Sequence, residues 1–217
     1  NMIGLAYSGM NLGYYEEAEK LNLYALEITT KKYGDMHPQT SAIMNNLGWL
    51  FTLKGEYKKA EKYYQKVLEI NENSFNNLSS YNAMTLNNLG WLYVLKGQDS
   101  LAKKVLKEGF KNSIKLIQKE APYLPLSKRS TFVSSFGTFG NSYQSSFSWA
   151  LENPAGLEFA LFSRINRQGI LQDIEKRQSK LSSLPGPQKI ILEDIKKINQ
   201  KIAANKTNDL KELYQLR

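Results

Sequence analysis

Apolar residues in this chain return at helical spacing, and they do so as pairs of stripes with a glycine between them. Over residues 43–70, Met44, Leu47, Leu50 and Phe51 form one stripe, and Ala60, Tyr63, Tyr64, Val67 and Leu68 form a second. Intervals of three and four put each set on one helical face, so the pattern predicts two helices joined near Gly55. The arrangement recurs in register. GYYEEAE starts at Gly13, GEYKKAE at Gly55 and GQDSLAK at Gly97, a period of 42 residues, and Leu5-Ala6-Tyr7, Leu47-Gly48-Trp49 and Leu89-Gly90-Trp91 precede them at a constant offset. A fixed period of this length denotes one supersecondary unit copied and stacked.

Within each unit Gly13, Gly55 and Gly97 stand where the first helix must end, since a left-handed closing residue costs glycine nothing. Ala18, Ala60 and Ala102 mark where the second helix crosses close to the first, because a bulky side chain there would separate the pair. The order of small, aromatic and glycine positions resembles the tetratricopeptide repeat. The 42-residue period, the Asn-Asn-Leu-Gly motif, the Gly-x-Tyr-x-x-Ala-Glu motif and the turn Gly34-Asp35-Met36-His37-Pro38 resemble its kinesin-light-chain-like subclass. The resemblance implies an all-α fold, a right-handed superhelix of three helix-turn-helix units over about 1–37, 38–79 and 80–121. The third copy departs from the pattern, with Gln98-Asp99-Ser100 at the usual aromatic and Gly109 where Ala25 and Val67 stand in the others.

Residues 122–217 carry no such period and read as a helical connector. Pro122 and Pro125 interrupt the helix begun near Ser100, Ser127 is placed to N-cap a Ser-rich helix ending before Asn153-Pro154, and another helix is expected from about Ala155 to Leu181. After the turn Leu184-Pro185-Gly186-Pro187, Ile191, Ile195, Ile198 and Ile202 form a coiled-coil seam whose expected partners are Ile170, Ile174, Leu181 and Leu184. That predicts an antiparallel hairpin, then a short helix near Thr207. The stretch Arg164 to Asp173, with Ser127-Lys128-Arg129, resembles the connector that joins tetratricopeptide repeats to a caspase-like CHAT domain in bacterial proteins. The resemblance implies that the natural protein continues beyond Arg217 into such a domain, and Asn1, inside an expected helix, implies that it also begins earlier.

Composition narrows the functional classes. Hydrophobic residues make up 41% of 217, there are six prolines, and no run of 18 apolar residues exists, which excludes a disordered chain and a membrane span. With no cysteine, thiolate metal sites and cysteine nucleophiles are excluded, and the single histidine, His37, precludes a Ser-His-Asp set. No GxxxxGK loop is present, and the pairs Glu16-Glu17 and Glu193-Asp194 lie among lysines as solvated surface. The chain is expected to be non-enzymatic, with no catalytic residues, metal or cofactor, and cytoplasmic. The net charge of +9 is graded, from −2 over residues 1–42 to +6 over 127–217. Nucleic-acid binding by the basic half is one reading of that gradient, but no aromatic-basic interleaving accompanies it.

In tetratricopeptide arrays the first helices line a concave groove, so equivalent residues stack into columns. Tyr7, Trp49 and Trp91 form one column, and Asn45, Asn46, Asn87 and Asn88 form others. Carboxamides both donate to and accept from a peptide backbone, and aromatic faces supply apolar area with little rotamer entropy to lose. The resemblance implies that Asn46 and Asn88 clamp the ligand backbone; Ile3 and Gly4 break the pattern in the first unit. The expected partner is a protein or peptide. The competing reading packs the tryptophans between units and bonds the asparagines to neighbouring helices, leaving a structural module filled by its own helices or by a second copy in a homo-oligomer. His37 reads as a turn and helix-start residue, Met36 as packing, and Lys103, Lys104, Lys107, Lys111 and Lys115 as either a phosphate-binding stripe or a solvated face. Arg164 and Arg167, beside Gly169, are candidates to dock the further domain or are an ordinary surface pair.

Overall fold

A computed structural model describes residues 12–74, 80–124, 126–136, 141–167, 169, 170 and 172–174, with isolated positions beyond. All regular structure among them is helical. Helix α1 spans Tyr15–Tyr33, α2 Pro38–Leu53, α3 Tyr57–Ser74, α4 Ser80–Leu95 and α5 Asp99–Glu120. A 3-10 turn at Ala121–Tyr123 leads to α6 (Leu126–Ser135), α7 (Asn141–Glu152) and α8 (Pro154–Arg167). Consecutive helices from α1 to α5 pack on one another, and α8 packs on both α7 and α5.

The predicted breaks form for the predicted reason. Gly55 and Gly97 adopt φ of 74° and 68°, and each closes a Schellman motif. Glu56 N donates to Phe51 O at 2.9 Å and Gly55 N to Thr52 O at 3.1 Å; 42 residues on, Gln98 N donates to Tyr93 O and Gly97 N to Val94 O at 2.9 Å each. Ala18, Ala60 and Ala102 are fully buried at the crossings. His37 caps α2, its Nδ1 accepting from Gln39 N at 3.2 Å while its ring stacks on Tyr33, and Pro38 takes the first helical position, where no N–H is missed.

The main core runs from Ala18 in α1 to Ile174, with a smaller cluster at Met44, Val67 and Ile70. Between units it is fastened by an ion pair that repeats with the period: Lys54 Nζ donates to Glu19 Oε2 and Lys96 Nζ to Glu61 Oε2, both at 2.5 Å. At the third equivalent position the charge is reversed, and Lys103 Nζ donates to Glu158 Oε2 of α8 at 2.8 Å. The α5–α8 contact is otherwise aromatic, with Phe159 and Phe162 edge-on to Phe110.

Three expectations for the second half change. Ser127 does not cap its helix but lies inside it, since α6 already begins at Leu126. Where one Ser-rich helix was expected before Asn153, there are two, α6 and α7, and the intervening sequence holds Gly137 and Gly140, each costing a helix interior about 1 kcal/mol. The helix from Pro154 stops at Arg167 instead of continuing to Leu181, because Gly169 turns left-handed at φ 83° and its carbonyl accepts from Asp173 N to start a new turn. Of the expected hairpin, Ile170 and Ile174 are buried in the core; Ile191, Ile195, Ile198, Ile202, Leu181 and Leu184, and the short helix expected near Thr207, lie outside the described residues.

Candidate functional site

Helices α2 and α4 are the first helices of their units, and pairs of residues 42 apart line the face they share. Asn46 and Asn88, then Trp49 and Trp91, then Leu53 and Leu95 step along the two helices by three and four residues, so each set forms one stripe. Asn46, Asn88 and both tryptophans are half-buried, while Leu53 and Leu95 are 37% and 56% exposed. Met84 and Tyr81 extend the α4 stripe into solvent. The leucines, Met84 and Tyr81 were not singled out from the sequence, although the period that found the asparagines marks Leu53 and Leu95 as well.

Asn45 and Asn87 sit elsewhere. One residue back along a helix is a rotation of about 100°, which turns both out of the open face and into the seam between helices. They are 4% and 6% exposed, and Asn45 Oδ1 accepts from Thr85 Oγ1 at 3.2 Å and from Asn88 Nδ2 at 3.4 Å. The bond to Asn88 fixes that amide's orientation, so the buried asparagine positions the more accessible one. Tyr7, with Ile3 and Gly4, lies outside the described residues.

The stripe is closed at one end by the chain's own second half. Trp149 of α7 meets Trp91 edge-on at 6.2 Å, and the Trp91 Nε1 is buried without a hydrogen-bond partner among the described residues. Trp149 Nε1 donates to Asp99 Oδ1 at 3.3 Å and Asn153 Nδ2 to Asp99 Oδ2 at 2.6 Å, which ties the α7–α8 turn to the start of α5. Asn153 Oδ1 in turn accepts from Ala155 N, capping α8.

The other candidates separate by what they touch. Lys103 and Lys107 both turn to Glu158, at 2.8 and 3.8 Å, and Lys107 lies over the Phe162 ring, whereas Lys104, Lys111 and Lys115 are exposed. The lysines of α5 therefore split between a helix contact and solvent. Arg164 is exposed and Arg167 half-buried. At the unit junction, burial alone would raise the Glu61 carboxyl, but hydrogen bonds from Lys96 and Tyr93 and the Lys96 charge hold it below the usual carboxylate range. Tyr93, buried and donating to Glu61 at 2.8 Å, is pushed up to about 12. Among the described residues no cluster of acidic and histidine side chains is placed to hold a metal ion, and no helix is long and apolar enough to cross a membrane.

Paired helices closed by left-handed glycines, crossing at alanines and stacked with a 42-residue register define a tetratricopeptide-type superhelix. A tetratricopeptide repeat family model matches residues 2–73 and 53–114, so the chain belongs to that family, and its motifs place it with the kinesin-light-chain-like type. No curated protein matches it. Among solved structures it is similar to a Podosopora anserina protein assigned as a kinesin light chain with nearly identical TPR-like repeats, at 17% identity and a TM-score of 0.50, over 100% of this chain and 91% of that one. At that identity the likeness is one of fold. The chain is an all-α protein-binding repeat scaffold.

Proposed function

We propose that the concave face of α2 and α4 holds an extended peptide or partner segment. The observation that carries this reading is the accessible stripe of identical side chains in successive units, Asn46/Asn88, Trp49/Trp91 and Leu53/Leu95. Asn88 also bonds Asn45 and both indoles rest partly on the core, yet all six side chains keep a face toward solvent, which stacking alone does not require. The amides would bond a ligand backbone, and the indoles and leucines would seat its side chains. Asn45 and Asn87 belong to the support of the site. By resemblance of the connector, we further propose that the scaffold works in the cytoplasm as the regulatory or substrate-recruiting arm of a larger CHAT-type protein; a full-length coding sequence without a His/Cys pair after Arg217 would remove that part.

Selection of a displayed peptide library on the chain tests the groove. Peptides from it are expected to lose at least about tenfold in affinity on Asn46→Ala/Asn88→Ala, with helix content unchanged, since each double loses two backbone bonds. Peptides that bind the variant equally would place recognition elsewhere.

A second reading, a structural module with its groove occupied by its own helices, is favoured by one contact, Trp149 on Trp91. The two readings differ at Trp49. An open groove leaves Trp49 accessible to acrylamide when Trp91 and Trp149 are replaced by phenylalanine, and a filled one shields it.

A further inference from the structure

On the opposite side of the array, the second helices of neighbouring units, α1 and α3, flank an open cleft of about 470 Å³. Its floor is apolar: Leu23 from α1, Met44 and Phe51 from α2, and Tyr63 from α3, whose ring stacks on Phe51 at 5.6 Å. Leu23 stays 41% exposed there. The rim is basic. Lys59, Lys62 and Lys66 follow one another on α3 at intervals of three and four, facing a single lining carboxylate, Glu19, which Lys54 already holds. Lys59 and Lys66 rest on Glu56 and Glu69 in solvent-exposed pairs at 2.6 and 3.0 Å, and such pairs are weak and exchange readily. Lys62 meets no carboxylate among the described residues.

The 42-residue period supplies an internal comparison. One unit on, between α3 and α5, Glu61 and Lys104 stand where Glu19 and Lys62 do, but Gln65 replaces Leu23, Val105 replaces Tyr63, Leu101 replaces Lys59 and Glu108 replaces Lys66. Three ammonium groups and one carboxylate become one ammonium and two carboxylates. The two sites share helix pairing, ion pair and register, so stacking makes the same demand on both. The apolar floor with its basic rim is therefore not a requirement of the fold.

We propose that the α1–α3 cleft docks an acidic segment of a partner protein, with an apolar side chain seated between Leu23 and Tyr63 and flanking carboxylates on the lysines. The spacing suits an extended segment: Lys62 and Lys66 are one turn apart, about 6 Å along the axis, close to the roughly 6.7 Å between same-side residues of an extended peptide. Apolar contact supplies affinity, and the rim charges set which sequences are accepted and how fast they arrive.

The probe is a fluorescein-labelled octapeptide with a central phenylalanine–leucine pair and three glutamates on either side, titrated into the whole chain and followed by anisotropy. Saturable binding is expected, weakened at least about tenfold by Lys62→Glu/Lys66→Glu and, separately, by Leu23→Asp, as removal of close charge pairs and of an anchor contact requires. All three positions face solvent, and circular dichroism of each variant confirms that the helices are retained. Lys104→Glu, the same reversal one unit on, and Asn46→Ala/Asn88→Ala are expected to change nothing. No saturation by millimolar chain overturns the proposal, and so does equal weakening by Lys104→Glu, which would mark diffuse attraction to a basic protein. Weakening by the asparagine variants alone overturns it too, by placing the peptide on the concave face.

Discussion

Gly48 and Gly90 occupy the points where the first helix of a unit presses on the second. A Cβ added at Gly48 would lie 2.6 Å from Tyr64 Cε1, and one at Gly90 2.5 Å from Leu106 Cγ, both closer than carbon atoms approach. Tyr64 cannot easily yield. It is fully buried, its hydroxyl meets Thr52 Oγ1 at 3.4 Å, and Thr52 in turn donates to Gly48 O at 2.8 Å. Two effects oppose each other in Gly48→Ala: alanine improves the helix by about 1 kcal/mol, and overpacking a filled crossing costs about 1–3 kcal/mol. With a buried, hydrogen-bonded ring in the way the steric cost wins, so Gly48→Ala is expected to lower the urea midpoint, with a net loss of up to about 2 kcal/mol. An increase would mean that the helices slide apart freely. The Asn-Asn-Leu-Gly motif is thus a packing device at its glycine, a seam bond at its first asparagine and a surface amide at its second.

At the scale of the helix, a single charge pair decides how units join. Glu19–Lys54 and Glu61–Lys96 link neighbouring units, and the sign flips at Lys103, where the neighbour is α8 with Glu158. A further copy of the same unit would bring a lysine toward Lys103, so the reversal favours α8 over continuation of the array. Because the folded Glu61 carboxyl lies below its unfolded value of 4.5, its stabilising contribution is present at neutral pH and is lost as pH falls below 4.5 and through the folded value. Melting temperature should therefore fall with acidification in that window, and Glu61→Gln should flatten the fall while lowering stability at pH 7. An unchanged acid slope in the variant would show that Glu61 carries none of it. The equivalent junction differs in one atom group: Tyr93 gives Glu61 a hydroxyl bond, whereas Phe51, in the same place, gives Glu19 none.

Across the whole molecule, the second half is built onto the end of the array. Phe159 is buried against both Phe110 of α5 and Trp149 of α7, at 6.5 and 6.4 Å between rings, and so joins the last regular unit to the α7–α8 pair. Truncating such a residue costs about 3–5 kcal/mol. Phe159→Ala is expected to lower the melting temperature and raise acrylamide quenching of Trp149, with α1–α4 keeping their helicity. A melt that splits into two transitions would show that the array and the C-terminal helices fold as separate units. Gly156 sets how closely those helices meet, since a Cβ there would fall 2.5 Å from the Trp149 carbonyl oxygen. The outer side of α8 stays apolar and open, with Leu157, Leu161 and Ile165 one turn apart and exposed.

The repeating unit is legible in the order of amino acids alone: its period, the glycine breaks, the alanine crossings, the helix start at His37 and the pairing of Asn46 with Asn88 and Trp49 with Trp91. Each of these is written within one helix or turn, or copied at a fixed interval, so local stereochemistry and register suffice to read it. Only the tertiary structure separated Asn45 from Asn46, because the two differ by a helical rotation whose meaning depends on which neighbour packs against α2. It alone brought Trp149 to Trp91, Glu158 to Lys103 and Phe159 to Phe110, contacts between segments about 50 residues apart where no period operates. The cleft between α1 and α3 is of the same kind: stacking alone sets its lysines over Leu23 and Tyr63, since a surface shared by two helices exists only once they are packed.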